Sequence, residues 1–308
     1  QSKTDAEVII ADIQNSATKN EKSISTFDQV RQLFAPNMRT AFIIGLVVAV
    51  VQPITGINAI MFYAPTVFEQ VGIGTDAAFM QAVYVGLTSI IFTSLALFLI
   101  DKIGRRPLIL MGLVWAVASL VVCSVGFGMA TYKLTEESVK GLHADMDVRK
   151  LDPILEINYD NDVAFKAALK TVLGESVART HESKLIQAGG HINSTLILWG
   201  ILSFICAFHF SIGPIMWVLF SEIFPIKVRG IAIPFFALIT SIISYLVQQF
   251  FPWQLTVMGA SEIFLFYAIL SGAGLIVLIK YLPETKNKSI EEIEIALGSN
   301  PKPILNTD

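Results

Sequence analysis

The chain reads as an all-α membrane protein, a six-transmembrane-helix bundle with a cytoplasmic N-terminal helix and a small external helical loop. Three observations predict this. Of the 308 residues, 54% are hydrophobic and only 15% charged, against roughly half and roughly a quarter in soluble domains. Apolar stretches of about 20 residues, the length a helix needs to cross the hydrocarbon core, recur six times. Basic residues gather beside one set of span ends and avoid the other.

The spans are expected at Thr40–Glu69, Ala77–Ile100, Pro107–Tyr132, Asn193–Ser221, Gly230–Phe251 and Glu262–Tyr281. The first and fourth are overlong, which suits tilted or broken helices. Arg31 and Arg39 precede the first span, Lys102, Arg105 and Arg106 join the second to the third, and Lys227 and Arg229 join the fourth to the fifth. Lys280, Lys286 and Lys288 follow the sixth, whereas the connections Gln70–Asp76 and Pro252–Ser261 hold no Lys or Arg. Positive residues accumulate on the cytoplasmic side, so both termini are expected there.

Organisation follows from the spans. Residues 1–36 are a polar cytoplasmic linker region in which Thr4 and Glu7 have capping-box spacing ahead of a short helix. Residues 37–132 hold three spans and 193–283 the other three. Between them, 133–192 form an external loop insertion whose charges of both signs exclude it from lipid. Apolar residues at helical spacing over Val163–Ala188 predict a small helical cap there. In the tail, 284–308, Pro283-Glu284-Thr285-Lys286 reads mainly as a stop signal, and Ser289 with Glu292 forms a capping box for an amphipathic helix on the membrane surface. Gln1 rather than Met opens the chain, as expected of a segment of something longer.

Several function classes are excluded. A net charge of −3 offers no basic surface to nucleic acid. Cys123 and Cys206 lie within apolar runs and read as packing residues. No phosphate loop, no HExxH metal spacing and no nucleophile elbow is present, so neither enzyme activity nor a cofactor or metal is expected.

The most informative stretch is Gln52-Pro-Ile-Thr-Gly-Ile-Asn-Ala-Ile-Met-Phe-Tyr-Ala-Pro65, inside the first span. Polar side chains at membrane depth are costly and mark functional cavities by default. Gln52 and Asn58 are neutral carboxamides that both donate and accept, which suits a hydroxyl-rich ligand such as a sugar. A regular helix at about 100° per residue would splay them by about 120°. Pro53 and Gly56 predict a kink that turns both amides into one cavity, a reading preferred to simple helix-gluing amides. Gly213-Pro-Ile-Met-Trp217 predicts a second broken helix, with Trp217 near mid-membrane offering an indole N–H and a flat face for a sugar ring. His209 lies on about the same face as Trp217, where a hydrogen-bonded structural histidine is favoured over proton coupling.

Two charged clusters lie on the cytoplasmic side. Asp101-Lys-Ile-Gly-Arg105-Arg106-Pro107 fills a tight turn, whose Gly and Pro suit a helix end and a helix start. Ser221-Glu222-Ile-Phe-Pro-Ile-Lys-Val-Arg229-Gly230 joins the fourth span to the fifth. Together the acids and arginines predict an ion-pair network that holds one conformation and breaks in another.

The ordered strings QPITGINAIMFYAP, DKIGRRP, GPIMWVLFSEIFPIKVRG and PETKNKS resemble the C-terminal half of the sugar porters of the major facilitator superfamily, which include bacterial xylose–proton symporters and facilitative glucose transporters. The resemblance implies one half of a twelve-helix fold, in a bacterial inner (plasma) membrane. It implies a monosaccharide bound at the midplane between two halves, alternating access, and the N-terminal six-helix half as partner beside membrane lipid. By resemblance, Gln52, Asn58 and Trp217 are sugar-binding residues, Phe62 and Tyr63 are outer-gate aromatics, and Asp101, Arg105, Arg106, Glu222 and Arg229 form the cytoplasmic charge network. Ser89 and Thr240 stand at further sugar-contacting positions. Here the chain departs from the pattern: Pro53 replaces a second glutamine, Ser89 an asparagine, and Thr240 and Ser241 larger polar or aromatic groups. The acidic residue that couples protons in the symporters belongs to the other half. Two alternatives remain open at this point, a non-transporting sugar sensor and a truncated or degenerate half kept as a binding or assembly module.

Overall fold

The computed structural model describes residues 25–61, 75–142, 147–288 and 292–293. The expected Thr4–Glu7 cap, Phe62, Tyr63 and the Ser289 cap lie outside these. Six helices are long and apolar enough to cross a membrane: Pro36–Met61, Ala82–Ile103, Arg105–Gly128, Ser194–Ile223, Ile226–Met258 and Ala260–Tyr281. A short helix, Thr26–Leu33, precedes them. Five of the six begin or end within a few residues of the sequence expectation. The fifth is longer than expected, because the helix runs through Pro252 instead of stopping there and ends only at Gly259, with φ +86°.

The third span packs against the fourth and sixth, and the first against the fifth. Lipid offers no hydrophobic drive for this, so close steric fit holds the bundle. A run of aromatic rings, Phe34, Phe42, Phe235, Phe236 and Phe224, fills the seam at the end carrying the termini, with centroids 5.1–5.7 Å apart. The second and fifth spans are the least buried, and Ile90, Ile91, Phe98, Leu238, Ile242 and Tyr245 stand exposed along them.

At the opposite end sits the cap, and it is not purely helical. Helices Glu136–Val139, Asp162–Leu173, Glu175–Thr180 and Glu182–Gly189 accompany a three-stranded antiparallel sheet in which Thr131–Lys133 is the central strand. Its strands are β1 (Thr131–Lys133), β2 (Asn158–Tyr159) and β3 (Gly190–His191). Two- and three-residue strands are too short to show alternation in sequence, which explains why only the helices were legible. The pairing Thr131↔His191 brings the exit of the third span beside the entry to the fourth, so the insertion leaves and returns at one neck. The cap has its own core: Leu134, Leu151, Phe165 and Leu185 are fully buried, and Tyr132 stacks on Phe165 at 5.4 Å.

Candidate functional site

The first span breaks where its sequence demands it. Helix Arg39–Ile54 contains Pro53, and Gly56 follows at φ +82°. A Cβ on Gly56 would lie 2.8 Å from the Tyr267 ring, so backbone conformation and close approach both require glycine. Pro53 has no N–H for the carbonyl of Ala49, and a carbonyl left bare at membrane depth is costly. Thr240 of the fifth span repairs it: its hydroxyl donates to the Ala49 oxygen at 3.1 Å. One turn on, the Thr55 hydroxyl donates to the Gln52 carbonyl at 2.7 Å, and helical bonding resumes with the Ile60 amide on Gly56 at 2.9 Å. Two hydroxyls, those of Thr240 and Thr55, thus bond backbone carbonyls at the bend, beside the backbone bonds Thr55 N–H to Val51 and Gly56 N–H to Pro53.

Around this bend lie the two carboxamides. Gln52 is half-buried, and its Oε1 is buried with no partner among the described residues. Turning the amide over would only exchange a bare acceptor for bare donors, so a buried polar edge awaits a partner in either case. Asn58 donates through Nδ2 to the Ser244 hydroxyl at 2.5 Å, and Gln248 donates to the same Oγ and to the Ser244 carbonyl, both at 3.1 Å. A polar chain Asn58–Ser244–Gln248 therefore joins the first and fifth spans. Ser244 and Gln248 were missed from sequence, although two polar residues four apart in an apolar span are a usable signal.

The fourth span also breaks. Helix Ser194–Phe210 ends at Ser211, and Ile212–Ile223 continues it. Pro214 cannot donate to the carbonyl of Phe210, and the Ser211 hydroxyl turns back to Ala207 at 2.6 Å. Beyond the break, Trp217 is 46% exposed and stands edge-on to Phe220 at 6.1 Å, leaving a ring face open. His209 lies before the break, with Nδ1 3.3 Å from the Thr93 hydroxyl and Nε2 buried without a partner among the described residues. Ser89 and Thr240 are placed differently from the carboxamides: Ser89 donates to its own helix at Val85, 2.8 Å, and Thr240 is engaged with Ala49. A separate groove of about 400 Å³ between the third and fourth spans is lined by Trp115, Ser119, Trp199 and Ser203. Its Trp115 Nε1, Ser203 and Ser119 groups bond one another at 2.8 and 2.9 Å and leave little polar capacity for a ligand.

At the end carrying the termini, Arg105 is the centre of the charged cluster. Its guanidinium pairs with Asp101 at 3.0 Å and with Glu222 at 2.7 Å, and Nε adds bonds of 2.9 and 3.1 Å to both Glu222 oxygens. Such forked contacts are the strong form of arginine–carboxylate pairing. Glu222 also accepts from the Thr285 hydroxyl at 2.6 Å. Glu284 accepts from the backbone amides of Arg105 and Arg106, at 3.1 and 3.2 Å, and so caps the third span with a negative charge. Gly104, at φ +105°, admits that carboxylate: a Cβ there would be 2.6 Å from Glu284 Oε2. The guanidinium groups of Arg106 and Arg229 bond carbonyls instead, that of Arg106 donating to Ile279 at 2.8 Å and that of Arg229 to Phe224 at 3.1 and 3.2 Å. Glu284 and Thr285, read in sequence mainly as a stop signal, thus belong to the cluster, and no local pattern announces a contact across nearly 180 residues.

Comparison with known proteins agrees with this architecture. The family model for "Sugar (and other) transporter" matches residues 2–144 and 163–297. The arabinose-proton symporter of Bacillus subtilis is 28% identical over 90% of this chain and 47% of its own length. The glucose transporter GlcP of Staphylococcus epidermidis is 28% identical over 90% of this chain and 49% of its own. A solved proton:xylose symporter bound to 6-bromo-6-deoxy-D-glucose superposes with a TM-score of 0.62 at 22% identity, covering 96% of this chain and 50% of that one. The chain spans about half the length of the curated relatives it matches. The match covers most of the residues and the fold is that of a major facilitator half, so the chain is an integral multi-pass membrane protein that belongs to the sugar transporter family.

Proposed function

We propose that this chain is the C-terminal half of a monosaccharide transporter working by alternating access. The sugar binds at the midplane against Gln52, Asn58 and Trp217, between this bundle and a complementary six-helix half. The observation that carries the reading is the buried Oε1 of Gln52, without a partner among the described residues, beside a bend where hydroxyls already bond the Ala49 and Gln52 carbonyls. A hydroxyl-rich ligand supplies the donor that this oxygen lacks, and the open face of Trp217 suits the apolar side of a sugar ring. The arabinose and glucose transporters among the relatives support a monosaccharide as cargo. The exposed second and fifth spans give the complementary half, or lipid, an apolar surface to cover.

The end carrying both termini is the cytoplasmic one, by the basic residues that line it. There the Arg105–Glu222 pair, backed by Asp101, Glu284 and Thr285, holds the third span, the fourth span and the tail together. In the transport cycle this is the closed cytoplasmic gate, and it opens when those segments part.

Uptake of radiolabelled D-xylose and D-glucose into proteoliposomes tests the reading, with the chain reconstituted alongside a complementary half. Saturable uptake is expected, with Trp217→Ala and Gln52→Ala each lowering apparent affinity about tenfold. A reunited pair that moves no monosaccharide would sink it.

A further inference from the structure

Resting on the sugar-binding reading above, we propose that Gln248 is the residue of the fifth span that selects among monosaccharides, its side-chain carbonyl accepting a hydrogen bond from one ring hydroxyl. Thr240, Ser244 and Gln248 recur every four residues and so lie in a stripe on one face of the fifth span. That stripe faces the first span, because Thr240 bonds Ala49 and Ser244 bonds Asn58. Both spans run from the termini end towards the cap end. The stripe therefore follows the bend outward, from a repaired backbone carbonyl to a ligand-type carboxamide.

The three members differ in what they have left to offer. Thr240 is buried and its hydroxyl is committed to the Ala49 carbonyl that Pro53 leaves bare, so it is a structural group. Ser244 is half-buried, and its Oγ accepts from both Asn58 and Gln248. Gln248 is half-buried as well, with its Nε2 anchored on the carbonyl and hydroxyl of Ser244 at 3.1 Å. Nitrogen and oxygen sit at opposite edges of a carboxamide, so fixing Nε2 on Ser244 turns Oε1 away from it, and no partner among the described residues holds that oxygen. The chain thus presents a preoriented acceptor next to Asn58, one turn beyond Ser244. An acceptor held in a fixed direction discriminates between sugars that do and do not place a hydroxyl there.

The test is equilibrium binding of D-glucose and its single-deoxy analogues to the full chain reconstituted with a complementary half in lipid nanodiscs. For the unaltered protein, removal of one particular hydroxyl is expected to weaken binding about 3- to 10-fold. In Gln248→Ala that one penalty falls to near unity while the penalties for the other hydroxyls persist, the signature of a direct pairwise contact. Gln248→Met, which keeps the length without the carbonyl, shows the same pattern, and Gln249→Ala, an exposed neighbour, keeps the unaltered one. Penalties for every analogue that survive both Gln248 variants, or that shrink together, overturn the assignment and leave sugar binding standing. Absence of any monosaccharide binding by the unaltered protein overturns the transport reading itself.

Discussion

At the cap end Lys166 lies between Asp162 at 3.1 Å and Glu182 at 3.2 Å; at the termini end Arg105 lies between Asp101 at 3.0 Å and Glu222 at 2.7 Å. The two cations are about equally sheltered, with side chains 9% and 12% exposed. What differs is the reach of their partners. Lys166 ties together residues of a single 60-residue insertion that has its own sheet and core. Arg105 draws on the end of the second span, the start of the third, the end of the fourth and, through Glu222 and Glu284, on the tail. One cation fastens a subdomain to itself. The other fastens three spans and the tail to one another, so a change in their spacing would act on this cluster and not on the cap's. Asp101, 79% exposed, adds little to the second cluster, since pairs with one partner in solvent are weak.

The largest expected effect lies in the cap. Lys166→Met leaves two carboxylates facing each other without a cation, a change that costs about 3–5 kcal/mol when such a group is buried. Amide hydrogen exchange should show faster opening of Asp162–Leu173 and Glu182–Gly189 while the spans keep their protection. If the spans loosen too, the cap does not open as a unit of its own.

Arg105→Gln is expected to act in the opposite pattern and more weakly, by about 1–3 kcal/mol for the loss of charge-assisted bonds at a partly wet site. Cysteines placed near Glu222 and Thr285 should become labelled several-fold faster from the termini side, with cap protection unchanged. Equal labelling rates before and after substitution would remove the gate from the proposed cycle.

The smallest effect is one of pH and is confined to the cap. Burial, and then the charge of Asp162, raise the Tyr132 phenol above its ordinary value. A raised acid is stabilised in its neutral form, so this contribution is fully present below about pH 10 and lost as pH climbs beyond that towards the folded-state value. Near-UV circular dichroism should report loosening of the cap in strong base and no response near neutrality, and Tyr132→Phe should abolish the alkaline response. A cap that loosens identically with phenylalanine places the titration elsewhere.

Local chemistry was legible and pairing was not. Pro53 with Gly56, and Gly213 with Pro214, announced two breaks, because a missing donor and a missing Cβ act on the backbone within one turn. Nothing near Thr240 said that its hydroxyl would be spent on a carbonyl 191 positions away. Glu284 looked like part of a stop signal because capping the third span requires the tail to fold back on it. The sheet of the cap was invisible for a related reason: strands of two or three residues gain their stability from partners and not from pattern.

By itself the sequence determined six apolar spans, the positions of their bends, the side on which positive charge collects and the residue types available to a ligand. These depend on length, periodicity and backbone chemistry, which act over a few residues. Only the tertiary structure decided which polar groups remain open. Thr240, Ser89, Asn58 and Gln248 are chemically similar as letters, yet packing satisfies the first two within the protein, anchors the last two by their amide hydrogens, and leaves Gln52 with a bare oxygen. Hydrogen-bond capacity is consumed by neighbours in space, so what a site has left for a ligand is a property of the assembled bundle.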